Sequence, residues 1–138
     1  MIDCFITHVW RQSPQWVSFE KFLFNDELIE WRNFSLPWHD PALKVGSGLG
    51  QKLVMSNLTH QITPTDIFFL LESLYEKKSN LFWLNFQINV AKKNNIPIIL
   101  VKENYTYNID IKFDFDYIKI ESNYNQLHET VKKLNLIN

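Results

Sequence analysis

Ile67-Phe68-Phe69-Leu70-Leu71 is the stretch on which the fold turns. Five apolar residues with no polar alternation form the pattern of a strand covered on both faces, as in a parallel sheet lying between helices. Cys4-Phe5-Ile6 and Ile98-Ile99-Leu100-Val101 read the same way. Tyr117-Ile118-Lys119-Ile120 alternates, as a half-exposed edge strand does, and Arg32-Asn33-Phe34-Ser35, stopped by Pro37, is the fifth candidate.

Helical patterns separate these runs. Trp16, Phe19, Phe22 and Leu23 recur at helical spacing behind Ser13-Pro14, a cap followed by proline. Leu49, Leu53, Leu58 and Ile62 keep a looser helical period until Pro64. Residues 80–93 form the next helix, with Ser79 as N-cap and Ile96-Pro97 as its stop. Leu127, Val131 and Leu134 mark a last one. Strand and helix alternate, so the prediction is one α/β domain over residues 1–138. Its architecture is a flavodoxin-like, doubly wound three-layer sandwich, a five-stranded parallel sheet in the order 2-1-3-4-5 flanked by helices. The polar stretch from Glu103 to Asp116 reads as a long loop.

Composition narrows the function. The chain has 138 residues, 46% hydrophobic and 15% aromatic, enough for a packed core and against disorder. Fourteen Lys and Arg against fifteen Asp and Glu leave a net charge of -1, which argues against binding nucleic acid. One cysteine, Cys4, excludes a disulfide framework and a cysteine zinc site. The first residues carry no signal-peptide pattern and no apolar run is long enough to span a bilayer. No membrane association and a cytoplasmic location are therefore expected. His8, His39, His60 and His128 show no metal-ligand spacing, and no metal site is expected.

In a doubly wound sheet, ligands gather at the carboxyl ends of the strands. That singles out Thr7-His8-Val9-Trp10-Arg11, Pro37-Trp38-His39-Asp40-Pro41 and Glu72-Ser73. Gly46-Ser47-Gly48-Leu49-Gly50 could cradle a phosphate at a helix start, but it has neither dinucleotide-fingerprint nor P-loop spacing and reads more simply as a flexible loop. A receiver domain would need an acidic cluster where Thr7-His8 stands, and a flavodoxin would need a Ser/Thr/Gly loop there. On the third helix, Phe82, Trp83, Phe86 and Val90 form one apolar flank and Leu84, Ile88 and Ala91 another. Gln87 falls between them. A polar side chain there is either a satisfied core amide or a site residue.

Taken in order, several pieces resemble the TIR superfamily, in particular the TIR-like ThsB proteins of bacterial Thoeris antiphage defence. They are Phe5 to Arg11, Trp31 to Pro41, Gln61-Ile62 before Asp66, Tyr75, Ser79 to Ile88, and Ile96 to Ile99, together spanning roughly residues 2 to 102. The resemblance implies an NAD⁺ nucleosidase or ADP-ribosyl cyclase that uses NAD⁺ as substrate and needs no other cofactor. It cuts the nicotinamide–ribose bond and makes an ADP-ribose-derived signal that activates a downstream effector after a phage-derived trigger. Such enzymes usually assemble as homo-oligomers. The family carboxylate sits on the third helix, four residues after the Trp of a Ser-x-x-x-Trp stretch, where it would stabilise an oxocarbenium-like state.

Carried over, that carboxylate falls on position 87, which is Gln. The resemblance therefore implies impaired turnover, typically a hundred- to thousand-fold for a lost preorganised group. Position 87 is either an inactivating substitution, the preferred reading, or native to a member that binds without turnover. The remaining site carries over to Phe5, Thr7 and His8 as its floor, Trp10 and Arg11 against the nucleotide, Trp38 and Asp40 on the second loop, and Trp83 one turn from Gln87. Trp16 and Trp31 read as core. The alternative function is a non-catalytic TIR module for assembly or nucleotide binding. A more distant one is another N-glycosidic transferase that prefers free nucleosides.

Overall fold

The structure, a computed structural model, describes residues 1–9, 13–37, 48–103 and 113–137. Strands β1 (Ile2–Ile6), β2 (Trp31–Asn33), β3 (Ile67–Leu71), β4 (Ile98–Lys102) and β5 (Ile118–Glu121) form one sheet in the order β2-β1-β3-β4-β5. Every pairing is parallel. Helices α1 (Pro14–Phe24), α2 (Gly48–Ile62), α3 (Leu81–Lys93) and α4 (Tyr124–Lys133) complete the α/β architecture expected from the sequence. β3 is buried at all five positions because both of its faces are covered.

Register sorts the side chains to the two faces. Ile6, Phe69 and Ile99 lie abreast, as do Phe5, Phe68 and Ile98, and neighbours along a strand point opposite ways. Phe69 meets Phe19 of α1 edge-on at 4.9 Å between ring centres, and Trp31 at 5.5 Å. α4 shares this face, since Tyr124 stacks on Phe22 at 4.3 Å and donates its hydroxyl to the Phe22 carbonyl. Phe5 and Phe68 stack on the opposite face, which α2 and α3 cover while packing on each other. Trp16 and Trp31 are core residues, as read.

Local chemistry sets the helix ends. Ser13 caps α1, its hydroxyl accepting from the Trp16 amide at 3.1 Å, with Pro14 in the first turn. Asn123 caps α4 through the Gln126 amide. α3 differs from expectation. Ser79 lies in a short 3-10 turn, Lys78–Asn80, and the N-cap is Asn80, which makes no capping bond because its side chain donates to the Leu74 carbonyl. Asn95 and Asn135, with φ of 56° and 60°, end α3 and α4 in the left-handed region where glycine is commoner.

β2 is one residue earlier and shorter than predicted. The Phe34 amide still bonds Cys4, but the Ser35 amide is captured by the Asn33 side chain at 2.9 Å, which turns the chain out of the ladder. β5 is shifted one residue later than predicted, starting at Ile118 and ending at Glu121. Phe82, expected on an apolar flank, is 48% exposed on the outer side of α3. Among the described residues, no helix is long and apolar enough to cross a membrane.

Candidate functional site

Each strand delivers its carboxyl end to one edge of the sheet: Thr7-His8-Val9 from β1, Phe34-Ser35-Leu36 from β2, Glu72-Ser73 from β3, Glu103 from β4 and Ser122 from β5. Thr7 ends its ladder with its own side chain. Its hydroxyl accepts from the Leu71 amide at 2.9 Å, and the residue is fully buried. Phe5, also fully buried, lies beneath His8 with ring centres 5.5 Å apart.

His8 is neutral. Its Nε2 lies 3.1 Å from the Gln61 oxygen, which also accepts from the Leu36 amide at 2.9 Å, so Nε2 carries the hydrogen. Burial is the main reason its pKa falls to about 4, and the Gln61 bond opposes that only in part. Nδ1 is then a bare acceptor, buried and without a partner. Gln61 joins three elements, because its amide also bridges back to the Leu36 carbonyl at 3.5 Å.

Gln87 is fully buried at the centre of α3 and faces the end of β1. Its Nε2 donates to the His8 carbonyl at 2.8 Å and to the Trp83 carbonyl at 3.1 Å. Two acceptors fix the amide's orientation, leaving Oε1 buried and unpartnered. Trp83, buried one turn earlier, packs edge-on against Phe82 and Phe86. The structure thus brings Phe5, His8, Trp83 and Gln87 together between β1 and α3, and ties Thr7 to β3 instead. Trp10, Arg11, Trp38 and Asp40 lie outside the described residues, as does His39.

Two adjoining cavities open on the same edge, sharing Pro14 and Gln15 at the start of α1. One, of about 460 Å³, is bordered by Val9, Ser13, Ser73, Lys77 and Asn80 among others. The second, of about 360 Å³, lies toward β4 and β5 and contains Glu103 and Ser122. Phe5, Thr7, His8 and Gln87 line neither. Gly48 opens α2 with open space where a side chain would stand, so no close backbone approach requires a glycine there. Among the described residues, no group of three or more His, Cys, Asp or Glu could hold a metal ion.

Sequence reasoning undervalued Gln61 and Glu103. A glutamine near a helix end and a glutamate opening a polar segment both look like solvent-facing residues. Only the tertiary contacts show one as a junction and the other as a buried carboxyl. His128, on α4, is half-buried and bonds both Asp26 oxygens at 2.9 and 3.0 Å. No family model, curated protein or solved structure matches the chain.

Proposed function

We propose that this chain is a TIR-like module that takes NAD⁺ or an ADP-ribose-derived nucleotide at the carboxyl edge of its sheet. The motif order described above supports the reading and connects it to antiphage signalling through a downstream effector. One observation carries it: the Gln87 amide docks the middle of α3 onto the end of β1. That contact gathers the β1 loop and α3 at one rim, while Gln61 adds the segment after β2. Dinucleotides bind outside the carboxyl ends of the strands in open α/β sheets, the edge that these residues share.

Cutting the nicotinamide–ribose bond builds positive charge on the sugar, which a nearby carboxylate would offset. Gln87 carries no charge, and its amide hydrogens are committed to two carbonyls. On this proposal the chain as given recognises the nucleotide and turns it over slowly or not at all. The unpartnered Gln87 Oε1 favours a second, enzymatic reading, since it is an acceptor for a ligand hydroxyl at the position where the family's carboxylate stands.

Isothermal calorimetry with NAD⁺ and with ADP-ribose tests the proposal. Saturable binding of at least one is expected, and no heat from either would overturn it. Gln87→Glu, shown to be folded, tests the enzymatic version by nicotinamide release. If the variant binds NAD⁺ and leaves it intact, cleavage through position 87 is excluded.

A further inference from the structure

Glu103, at the carboxyl end of β4, is the anomalous group on this edge. Both of its carboxyl oxygens are buried, and neither has a hydrogen-bond partner. The Ser73 hydroxyl and amide lean toward the carboxyl and favour its charged form, yet neither reaches hydrogen-bonding geometry. Ser73 is itself only 6% exposed, with an unpartnered hydroxyl. Among the described residues, no cation pairs with Glu103; Lys119 lies 3.8 Å from Glu72. Glu72 and Glu76 add like charge nearby. A buried carboxyl without a partner is costly, so a donor that a ligand set against it would be favoured.

The cavity beside it indicates what that would be. Gln15, Ser18, Phe19, Phe22 and Ser122 line it with Glu103 and Pro14. Among the described residues that line it there is no Lys, Arg or His, so a phosphate or carboxylate would find no cation there and would face the Glu103 carboxyl. Phe19 and Phe22, their ring centres 5.6 Å apart, give the cavity an apolar wall. The hydroxyls of Ser18 and Ser122 and the Gln15 amide supply further acceptors. A volume of about 360 Å³ suits a small molecule.

We propose that this cavity binds a small organic cation: a primary amine or amidine on a compact apolar body, with its nitrogen donating to Glu103 and its body against Phe19 and Phe22. Burial and the neighbouring carboxylates lift the free Glu103 pKa to about 7, and a bound ammonium would return the group to its charged form. The inference is independent of the nucleotide proposed above, because it uses neither Gln87 nor His8.

Benzylamine and its neutral isostere benzyl alcohol are the probes, titrated into the whole ¹⁵N-labelled chain near neutral pH. Amide shifts confined to the start of α1 and to Ser122 are expected with benzylamine, which should bind at least tenfold more tightly than the alcohol. Glu103→Gln should abolish that preference. Shifts scattered over the surface, equal binding of the two probes, or an unchanged preference in the variant would each overturn the proposal. The comparison of amine with alcohol on the unaltered chain decides it even if the variant fails to fold. Absence of NAD⁺ binding would leave it standing.

Discussion

The side-chain amide of Gln87 and the backbone carbonyl of His8 meet at 2.8 Å, so a residue on α3 holds the end of β1 seventy-nine positions away in sequence. The second amide hydrogen goes to Trp83. Both partners are acceptors, and the site is built for a donor.

Glutamate at position 87 is nearly isosteric but wrong in polarity for these two contacts. Protonated, it supplies one hydrogen where the amide supplies two; ionised, it sets a charge against two carbonyl oxygens. Gln87→Glu should therefore cost about 1–3 kcal/mol of stability. Its carboxyl pKa should be raised, since burial and carbonyl oxygens both oppose the charge. The folded state then binds the extra proton, so the loss should be larger at about pH 8 than at about pH 5. Urea unfolding at the two values measures it. A variant as stable as the parent at both would show that the amide does not make these bonds.

His8 and Glu103 should mask each other in acid. The folded-state pKa of His8 is about 4 because of burial, below the usual value near 6.5. The unfolded chain thus binds more protons between the two values, and stability from His8 is lost as pH falls through that window. On its own the effect is roughly 3 kcal/mol. Glu103, raised to about 7 by burial, acts in the opposite sense: the folded chain keeps its proton, so stability from Glu103 is lost as pH rises from the ordinary glutamate value through about 7. The parent should show a shallow profile between about pH 4.5 and 6.5. Glu103→Gln should expose a rise with pH and His8→Phe a fall. Parallel profiles in all three proteins would refute both assignments.

Asp26 should tolerate no neutral replacement. Its carboxylate accepts from Trp31 Nε1 at 3.0 Å, from the Leu28 and Ile29 amides, and from His128 Nε2, joining the end of α1 to β2 and α4. Burial alone would raise its pKa, but these bonds outweigh it and hold the carboxyl below the usual range. Every partner donates, so an asparagine must turn its NH₂ toward donors whichever way it is set. Asp26→Asn should approach Asp26→Ala in cost, about 1–3 kcal/mol, by urea unfolding at neutral pH. An Asn variant close to the parent would show that one oxygen suffices.

How much of this was legible in the sequence depended on whether the signal was local. β1, β3 and β4 stood out because both of their faces are covered, which leaves unbroken apolar runs. β2 gave itself away only coarsely, since its end is set by the Asn33 side chain and not by hydropathy. On α3, the spacing placed Gln87 between two apolar flanks, but a periodicity cannot say which backbone groups an amide will find. Glu103 was the harder case. Its neighbours Phe19, Ser73 and Ser122 come from α1 and from the segments after β3 and β5, and only the folded sheet edge assembles them.

Cys4 provides a test of the sheet itself. It sits in β1 between Asn33 of β2 and Ile67 of β3, with no exposed surface. Burial pushes its thiol pKa far above the ordinary range, and the carboxylates of Asp3, Glu20 and Asp66 push the same way. Thiolate is the reactive form, so the native protein should be inert to a thiol reagent such as Ellman's. Modification should then proceed only through opening of β1, at a rate that rises with urea in step with the unfolding equilibrium. Full labelling within the time taken by a free thiol, in native buffer, would mean that the first strand is not the covered, central element it is here.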